Sequence, residues 1–320
     1  VPAATLSLLV RTIRREASGV HSYELVDPLG ADLPAVSAGS HVDVHVNGST
    51  IRQYSLASDP ANRKHYVIAV LREEAGRGGS RAMHESVHVG DRVQISAPRN
   101  AFALASDAQH HILIAGGIGI TPLKAMAHAL AADDASFELH YCAKTADHAA
   151  FREELSLHGK RVTHHFDNGN PTDGLDLAAL LAAPAVGTHV YYCGPSGFMA
   201  ACAAATAHWP AGSVHSEHFK VPTADADARP VLAPGSFTVQ IASSGLEFVV
   251  PADRSVVDMM NENGVETDTS CISGLCGTCK TGYVAGEIDH QDYILSEDER
   301  AAFFTPCVSR ATSAVLVLDR

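Results

Sequence analysis

Four of the seven cysteines fall late in the chain, in Cys271-Ile-Ser-Gly-Leu-Cys276-Gly-Thr-Cys279 and, 28 positions further on, at Cys307. The C-x4-C-x2-C…C spacing is that of plant-type [2Fe–2S] sites. There a short loop offers three thiolates to a dinuclear cluster and a distant segment supplies the fourth. Gly274 and Gly277 allow the backbone to approach the sulfides and aim N–H groups at the cluster's negative charge. A tetrahedral zinc site made of four thiolates is the alternative, although zinc ligands usually arrive as paired knuckles and Cys307 stands alone. A cluster of this kind passes single electrons, so the rest of the chain should hold a donor. Cys142, Cys193 and Cys202 read as small buried hydrophobes, with a second reading for Cys193 given below.

Two further patterns could hold phosphates. Arg52-Gln53-Tyr54-Ser55 sits just after a strand and by itself resembles any half-buried surface strand. Gly76-Arg77-Gly78-Gly79-Ser80-Arg81 can aim backbone N–H groups and guanidinium at a phosphate, or be a flexible hairpin loop. Together on one barrel they outline an aromatic plane and a phosphate clamp, which matches a flavin nucleotide. Ile112-Leu-Ile-Ala-Gly116-Gly117-Ile-Gly119-Ile-Thr121-Pro122 runs from a strand through glycines into a helix, the place where pyrophosphates bind a parallel sheet. It is not G-x-G-x-x-G, and its glycines could merely make a tight turn. Tyr191-Tyr192-Cys193-Gly194-Pro195 is a second strand-to-helix switch. The 19 histidines read as solvated or hydrogen-bonded.

These residues need elements to hold them. With 320 residues, 46% hydrophobic and 18% charged, the chain has material for two or three cores, and disorder is excluded as its general state. The most apolar stretch, Ile112 to Ala132, is cut by glycines, Pro122 and Lys124 and does not read as a membrane span. The start lacks the pattern of a secretory signal, and the odd cysteine count points to a reducing, cytoplasmic setting. A net charge of −13 argues against nucleic acid as a partner. The charge is uneven: from Ser236 onward 13 acidic residues face 5 basic ones, which suggests a separate module docking on a basic surface.

Residues 1–108 alternate and break like a small antiparallel β-barrel, as in Val42, Val44 and Val46. Residues 109–222 alternate strand and helix, the signature of a parallel α/β sheet; its first helix takes Thr121 as N-cap and Pro122 as first helical residue. The prolines and aspartates of 220–235 mark a linker, bounded at 223–235. Residues 236–320 open on a hairpin, continue into a helix capped by Ser255 with Asp258 in a capping-box pattern and ended by Gly264, and close on a strand at Val315–Leu318. The fold class expected is multidomain: an antiparallel β-barrel domain, an α/β parallel-sheet domain and a third, α+β domain.

In that order, R-x-Y-S, G-G-x-G-x-T-P and C-G-P resemble the ferredoxin–NADP⁺ reductase superfamily. With a ferredoxin-like module at the C-terminus, nearly the whole chain resembles the phthalate dioxygenase reductase family, the reductase components of two-component Rieske oxygenases, including the vanillate demethylase type. The resemblance implies a β-barrel flavin domain, an α/β nicotinamide domain and an α+β β-grasp ferredoxin domain, with FMN as the flavin and NADH as the donor, and with Lys144 and Arg152 leaving some NADPH use open. It implies that Arg52, Tyr54 and Ser55 contact the flavin, with Tyr54 on the ring and Ser55 near its redox-active nitrogen. Ala69 and Val70 would line the pyrimidine edge, and Gly79, Ser80 and Arg81 the phosphate. Gly116, Gly117, Gly119 and Thr121 would hold the dinucleotide phosphates, Lys144 would steer them, and Cys193, Gly194 and Pro195 would lie beside the nicotinamide. Phe219 would cover the flavin until the nicotinamide displaces it. Electrons would run from NADH to FMN, to the cluster on Cys271, Cys276, Cys279 and Cys307, and on to an oxygenase's Rieske centre, in a monomeric protein. A self-contained oxygenase would need a further oxygen-activating domain, for which no candidate ligands are seen. A non-catalytic redox carrier would share the cofactors but not oxidise NADH with ferricyanide. Ring dihydroxylation and O-demethylation by the partner both remain open.

Overall fold

The computed structural model describes residues 5–47, 50–76, 78–220 and 235–320, which fall into two compact units, Ala3–Phe219 and Lys220–Arg320. Arg77 and residues 223–234 of the expected linker lie outside the described residues.

The first strands are β1 (Thr5–Ala17), β2 (Val20–Val26), β3 (Ser40–Asn47), β4 (Thr50–Ser55), β5 (Tyr66–Leu71), β6 (Arg92–Ser96) and β7 (Arg99–Asn100). They pair in the order β4-β3-β6-β1-β2-β5, with β7 on β3. A bridge between Leu56 and Ile68 joins the two ends of that order, so the sheet closes and leaves no long open edge. Val42 and Val44 point inward with Leu8, Leu25, Ile68, Val70 and Ile95, while Asp43 between them takes a 2.7 Å bond from Arg99. That is the period-2 division the sequence shows. Helix α1 (Gly79–Ser86) buries Met83 in the same core.

Five parallel strands follow: β8 (His110–Gly116), β9 (Ser136–Ala143), β10 (Val162–Phe166), β11 (Thr188–Cys193) and β12 (Val214–Glu217), in the order β10-β9-β8-β11-β12. They are joined by helices α2 (Ile120–Ala132), α3 (Arg152–Leu155), α4 (Leu177–Leu180) and α5 (Ser196–Thr206). The chain order reverses between β8 and β11, which opens a crevice at their C-terminal ends. The apolar run from Ile112 now has its reason. β8 is the central strand, covered on both faces, and α2 packs in a core that contains barrel residues Ala57, Ala69 and Phe102 as well as the sheet residues Leu113 and Tyr141. Thr121 is not the N-cap. The helix begins at Ile120, after a 3-10 turn at Gly117–Gly119, because the glycines let the chain coil early. The Thr121 hydroxyl donates to the Ile118 carbonyl at 3.1 Å.

Lys124 is the exception inside α2. Its side chain is 2% exposed, and Nζ donates to the Ala57 carbonyl at 2.7 Å and meets Glu154 at 2.7 Å, with the Phe151 ring 4.7 Å away. Burial alone would raise the Glu154 carboxyl, but hydrogen bonds from His128 and Lys124 bring it down to about 2. Stability from this carboxylate is complete above the ordinary carboxylate range and is lost as pH falls toward 2.

The second unit holds β13 (Phe237–Ile241), β14 (Glu247–Val250), β15 (Thr281–Ala285), β16 (Ile288–Asp289), β17 (Phe303–Phe304), β18 (Arg310–Ala311) and β19 (Val315–Leu318). A mixed sheet β14-β13-β19-β15-β17 is joined by a β16-β18 ribbon. The helix Val256–Glu262 packs Val256 and Met260 against the sheet, the β-grasp arrangement. Ser255 caps it, accepting from the Asp258 N–H at 3.1 Å. The reciprocal capping box lies elsewhere, between Ser296 and Glu299.

Replacing Lys124 with Met should destabilise the first unit by about 2 kcal/mol, the scale of a hydrogen bond to a charged group. Thermal and guanidinium unfolding of wild type and variant would measure it.

Candidate electron-transfer site

The Arg52–Ser55 tetrapeptide forms the end of β4 itself rather than the segment after a strand. Alternation places Arg52 and Tyr54 on one side of it and Ser55 on the other. The Arg52 side chain lies so close over Gly79 that a Cβ there would stand 2.5 Å from Arg52 Nε. The two flavin signals are therefore brought together. The glycine-rich segment is more than a loop: Gly78, at φ +81, turns directly into α1. Its first N–H groups have no intrahelical acceptors. Ser80 Oγ accepts from the Glu73 N–H at 3.0 Å, and Arg81 is exposed. Tyr54 is half-buried against the barrel core. Val70 also faces that core, and its carbonyl is 2.8 Å from His84 Nε2. Ala69 faces the α/β side.

At the crevice, the ends of β8 and β11 approach each other closely. A Cβ at Gly119 would overlap the Cys193 carbonyl, and at Gly116 or Gly194 it would stand 2.9 or 2.6 Å from Phe198 Cδ1. These three glycines are thus required by packing. Gly117, at φ +53, is the one of the set whose Cβ direction meets nothing within 4 Å. Both helices starting here, α2 after Gly119 and α5 after Pro195, lack a side-chain cap, so their N–H groups remain available to an anion. Thr121 is buried in the first turn of α2. Lys144 is exposed just beyond the end of β9, across β8 from Cys193.

Sequence reading missed Glu217 as a functional residue. It ends β12, in register with Cys193, and its Oε2 accepts from Ser55 Oγ at 3.0 Å, across 162 positions of chain. Burial pushes its carboxyl up to about 7, with the Ser55 bond opposing. Burial, then Glu217, pushes the Cys193 thiol up. The only signal in the sequence is a carboxylate ending an otherwise half-buried strand two positions before Phe219, whose ring is 40% exposed.

In the second unit, the loop 271–280 has left-handed backbone at Ile272, Gly274 and Gly277. A Cβ at Gly274 would stand 2.8 Å from Val308 Cγ2 and 3.1 Å from Asp292 Cα, and one at Gly277 2.9 Å from Ile294 Cδ1. The loop cannot take this course with larger residues. Its sulfurs are paired: Cys271 hydrogen-bonds Cys276, and Cys279 hydrogen-bonds Cys307. The Cys271 thiol draws Cys276 down to about 5. The Leu275 N–H donates to Cys271 Sγ at 3.3 Å and the Thr278 N–H to Cys276 Sγ at 3.4 Å, bonds that favour thiolate. Among the described residues no three His, Cys, Asp or Glu side chains converge on one point that could hold a metal ion. Two pairs of sulfurs suit a dinuclear group with two ligands on each metal better than one tetrahedral zinc.

The comparisons agree with this geometry. Residues 239–312 match the 2Fe-2S iron–sulfur cluster binding domain, and residues 92–215 the N-terminal domain of dimethylamine monooxygenase subunit DmmA-like proteins. A tert-butanol monooxygenase / tert-amyl alcohol desaturase reductase subunit of Aquincola tertiaricarbonis is 50% identical, over 99% of this chain and 97% of its own. A vanillate O-demethylase oxidoreductase of Pseudomonas sp. (strain HR199 / DSM 7063) is 47% identical, over 98% and 99%. A solved phthalate dioxygenase reductase, titled a modular structure for electron transfer from pyridine nucleotides to [2Fe-2S], is 40% identical with a TM-score of 0.73, over 99% and 98%. The chain belongs to the phthalate dioxygenase reductase family. Among the described residues no helix is long and apolar enough to cross a membrane.

A carboxyl raised in the folded state contributes stability below the ordinary carboxylate range and loses it as pH rises through about 7. Glu217→Gln should therefore flatten the fall in melting temperature between about pH 4.5 and 7, which melts across that range would show.

Proposed function

We propose that this protein is the reductase component of a two-component Rieske oxygenase, taking electrons from NADH and passing them singly to the oxygenase. The reading rests above all on the two sulfur pairs, Cys271 with Cys276 and Cys279 with Cys307, in one chain with a parallel-sheet switch point. The division of labour proposed is FMN on 1–108, NADH on 109–222, a linker at 223–235 and the cluster on 236–320. When bound, FMN accepts a hydride and the [2Fe–2S] cluster carries one electron at a time.

The chain's own residues place and shield. Arg52, Gly79, Ser80, Arg81 and the start of α1 bind the flavin phosphate. Tyr54 packs on the ring, Ser55 sits near its redox-active nitrogen, and Ala69 and Val70 border its pyrimidine edge. Gly116, Gly117, Gly119, Thr121 and the uncapped start of α2 hold the dinucleotide phosphates, with Lys144 steering from the neighbouring strand. Cys193, Gly194 and Pro195 flank the nicotinamide, and Phe219 covers the flavin in its absence. Glu217 adds a carboxyl that can hold a proton beside Ser55 near neutral pH. The gain is placement of the reacting groups. The protein is proposed to act as a monomer.

O-demethylation by the partner is the second reading, favoured by the 47% identity to a vanillate O-demethylase oxidoreductase. The relatives' own names span a monooxygenase, a desaturase and a demethylase, so the organic substrate belongs to the partner.

Cys276→Ala should keep NADH oxidation with ferricyanide and lose reduction of cytochrome c and of the oxygenase; equal loss of both would refute the division of labour. The acidic second unit should also make turnover with the oxygenase slow as ionic strength rises, whereas ferricyanide reduction should lack that fall. Steady-state rates across a salt series would check this.

A further inference from the structure

Cys307 lies 28 positions beyond Cys279, yet the two sulfurs pair, and a segment that supplies no ligand lies against both ends of that span. The β16–β18 ribbon sets Asp289 opposite Arg310, so the chain leaving β16 runs beside the turn at 305–309 that carries Cys307. There the Gln291 N–H donates to Ser309 Oγ at 3.1 Å, and the Ser309 N–H closes the turn on the Thr305 carbonyl at 2.9 Å. The residues that follow meet the three-cysteine loop. The Tyr293 N–H donates to the Gly274 carbonyl at 3.0 Å. The Asp292 backbone occupies the space a Cβ on Gly274 would need, and the Ile294 side chain does the same at Gly277. Gly274 also faces Cys307: Cys279 and then burial push that thiol up, and the Gly274 N–H opposes them. Residues 290–295 thus form a wedge between the two parts of the ligand set.

One side chain gives the wedge its shape. The Asp292 side chain is fully buried. Its Oδ1 accepts from the Leu295 N–H at 2.8 Å and the Ile294 N–H at 3.2 Å, which folds the backbone back on itself. Arg300, at the end of the short helix Glu297–Arg300, donates to the Asp292 carbonyl at 3.0 Å and sets its guanidinium 3.7 Å from Oδ1. Oδ2 stands 3.6 Å from His290 Nδ1 and makes no hydrogen bond. The clamp therefore rests on Oδ1 and on the carbonyl. A buried carboxylate is costly unless such partners hold it, and each of these partners serves to hold the turn.

We propose that Asp292 is a positioning residue for the iron–sulfur cluster: by holding residues 290–295 in this turn it sets Gly274 against Cys307, and so places the fourth sulfur relative to the other three. The inference rests on the cluster reading and adds to it a residue that is not a ligand. The reason is mechanical. Three cysteines are placed by their own short loop, whereas Cys307 reaches them from a separate turn and needs something that touches both. The wedge is that link, and Asp292 is its internal brace. Groups behind the ligands govern how firmly a metal is held, and the hydrogen bonds and solvent access of the sulfurs tune the cluster's electronic state. Both properties depend on where Gly274 and Cys307 sit.

The test compares the holoprotein with its Asp292→Ala, Asp292→Asn and Arg300→Gln variants, each kept well below its melting temperature and freed of any iron-free fraction. Two readouts need no turnover: the electron paramagnetic resonance of the dithionite-reduced protein, and the rate at which an iron chelator bleaches its visible spectrum. In Asp292→Ala the resonance should shift and iron release should quicken by about 10- to 100-fold, the scale on which groups behind the ligands act. Asp292→Asn keeps an acceptor at Oδ1 and should bring both readouts back to near wild type. Arg300, with a side chain 37% exposed, tolerates replacement; Arg300→Gln should move both readouts in the direction of Asp292→Ala, and by less. Should Asp292→Ala retain no iron, Arg300→Gln against wild type and Asp292→Asn decides by the same two readouts. A lowered melting temperature with unmoved resonance and unchanged iron release would make Asp292 merely structural and overturn its assignment. An Asn variant that behaves like the Ala variant would do the same, by tracing the effect to charge. Wild type lacking iron and acid-labile sulfide would overturn the cluster reading itself, and this inference with it.

Discussion

A buried ammonium holds the first unit in register. Lys124 reaches out of α2 to the carbonyl of Ala57, two residues beyond Ser55, and so ties the exit of β4 to the helix that starts at the switch point. Ser55 can meet Glu217 only if barrel and sheet keep this alignment, because the two residues belong to different sheets. The desolvated lysine would be costly alone. Here the carbonyl, Glu154 and the Phe151 ring share its charge, and removing any one would leave the rest imperfectly satisfied. The site is thus built across a seam rather than within either sheet.

This explains what the sequence reveals and what it hides. The cluster cysteines are legible because three of the four lie within nine residues and local spacing dictates their geometry. The strands at 66–71, 92–96 and 162–166 are legible because their apolar runs and alternation are local too. Glu217 is hidden because its meaning comes from Ser55, 162 positions away. Thr121 misleads for a related reason. A hydroxyl before Pro122 has the local form of a cap, but the helix starts two residues sooner, at Ile120, where Gly119 approaches the Cys193 carbonyl. The glycines of the same motif look like a phosphate cradle and turn out to be needed first for strand apposition. The histidines read as unrelated polar residues, yet parallel pairing lines His215 up beside Tyr191 and brings it to His189.

Electrons can cross a gap without a continuous chain of atoms, so the cluster can sit on its own folded unit. Groups that must meet within a hydrogen bond share a rigid element instead: β11 and β12 hold their side chains in fixed register, where a loop would let them drift.

The acidity of the second unit follows the same economy. It has few cations, and its own structure occupies most of them. Lys280 binds Glu299 at 2.6 Å, Arg254 binds Glu262, Arg300 faces buried Asp292, and Arg310 donates to the Arg254 and Pro251 carbonyls. Glu297 and Asp298, at the start of a short helix, remain exposed. With these positive charges engaged internally, the unit presents a net negative field. A field of that kind speeds encounter with a basic partner without requiring a large apolar interface, which suits a donor that must leave after each electron.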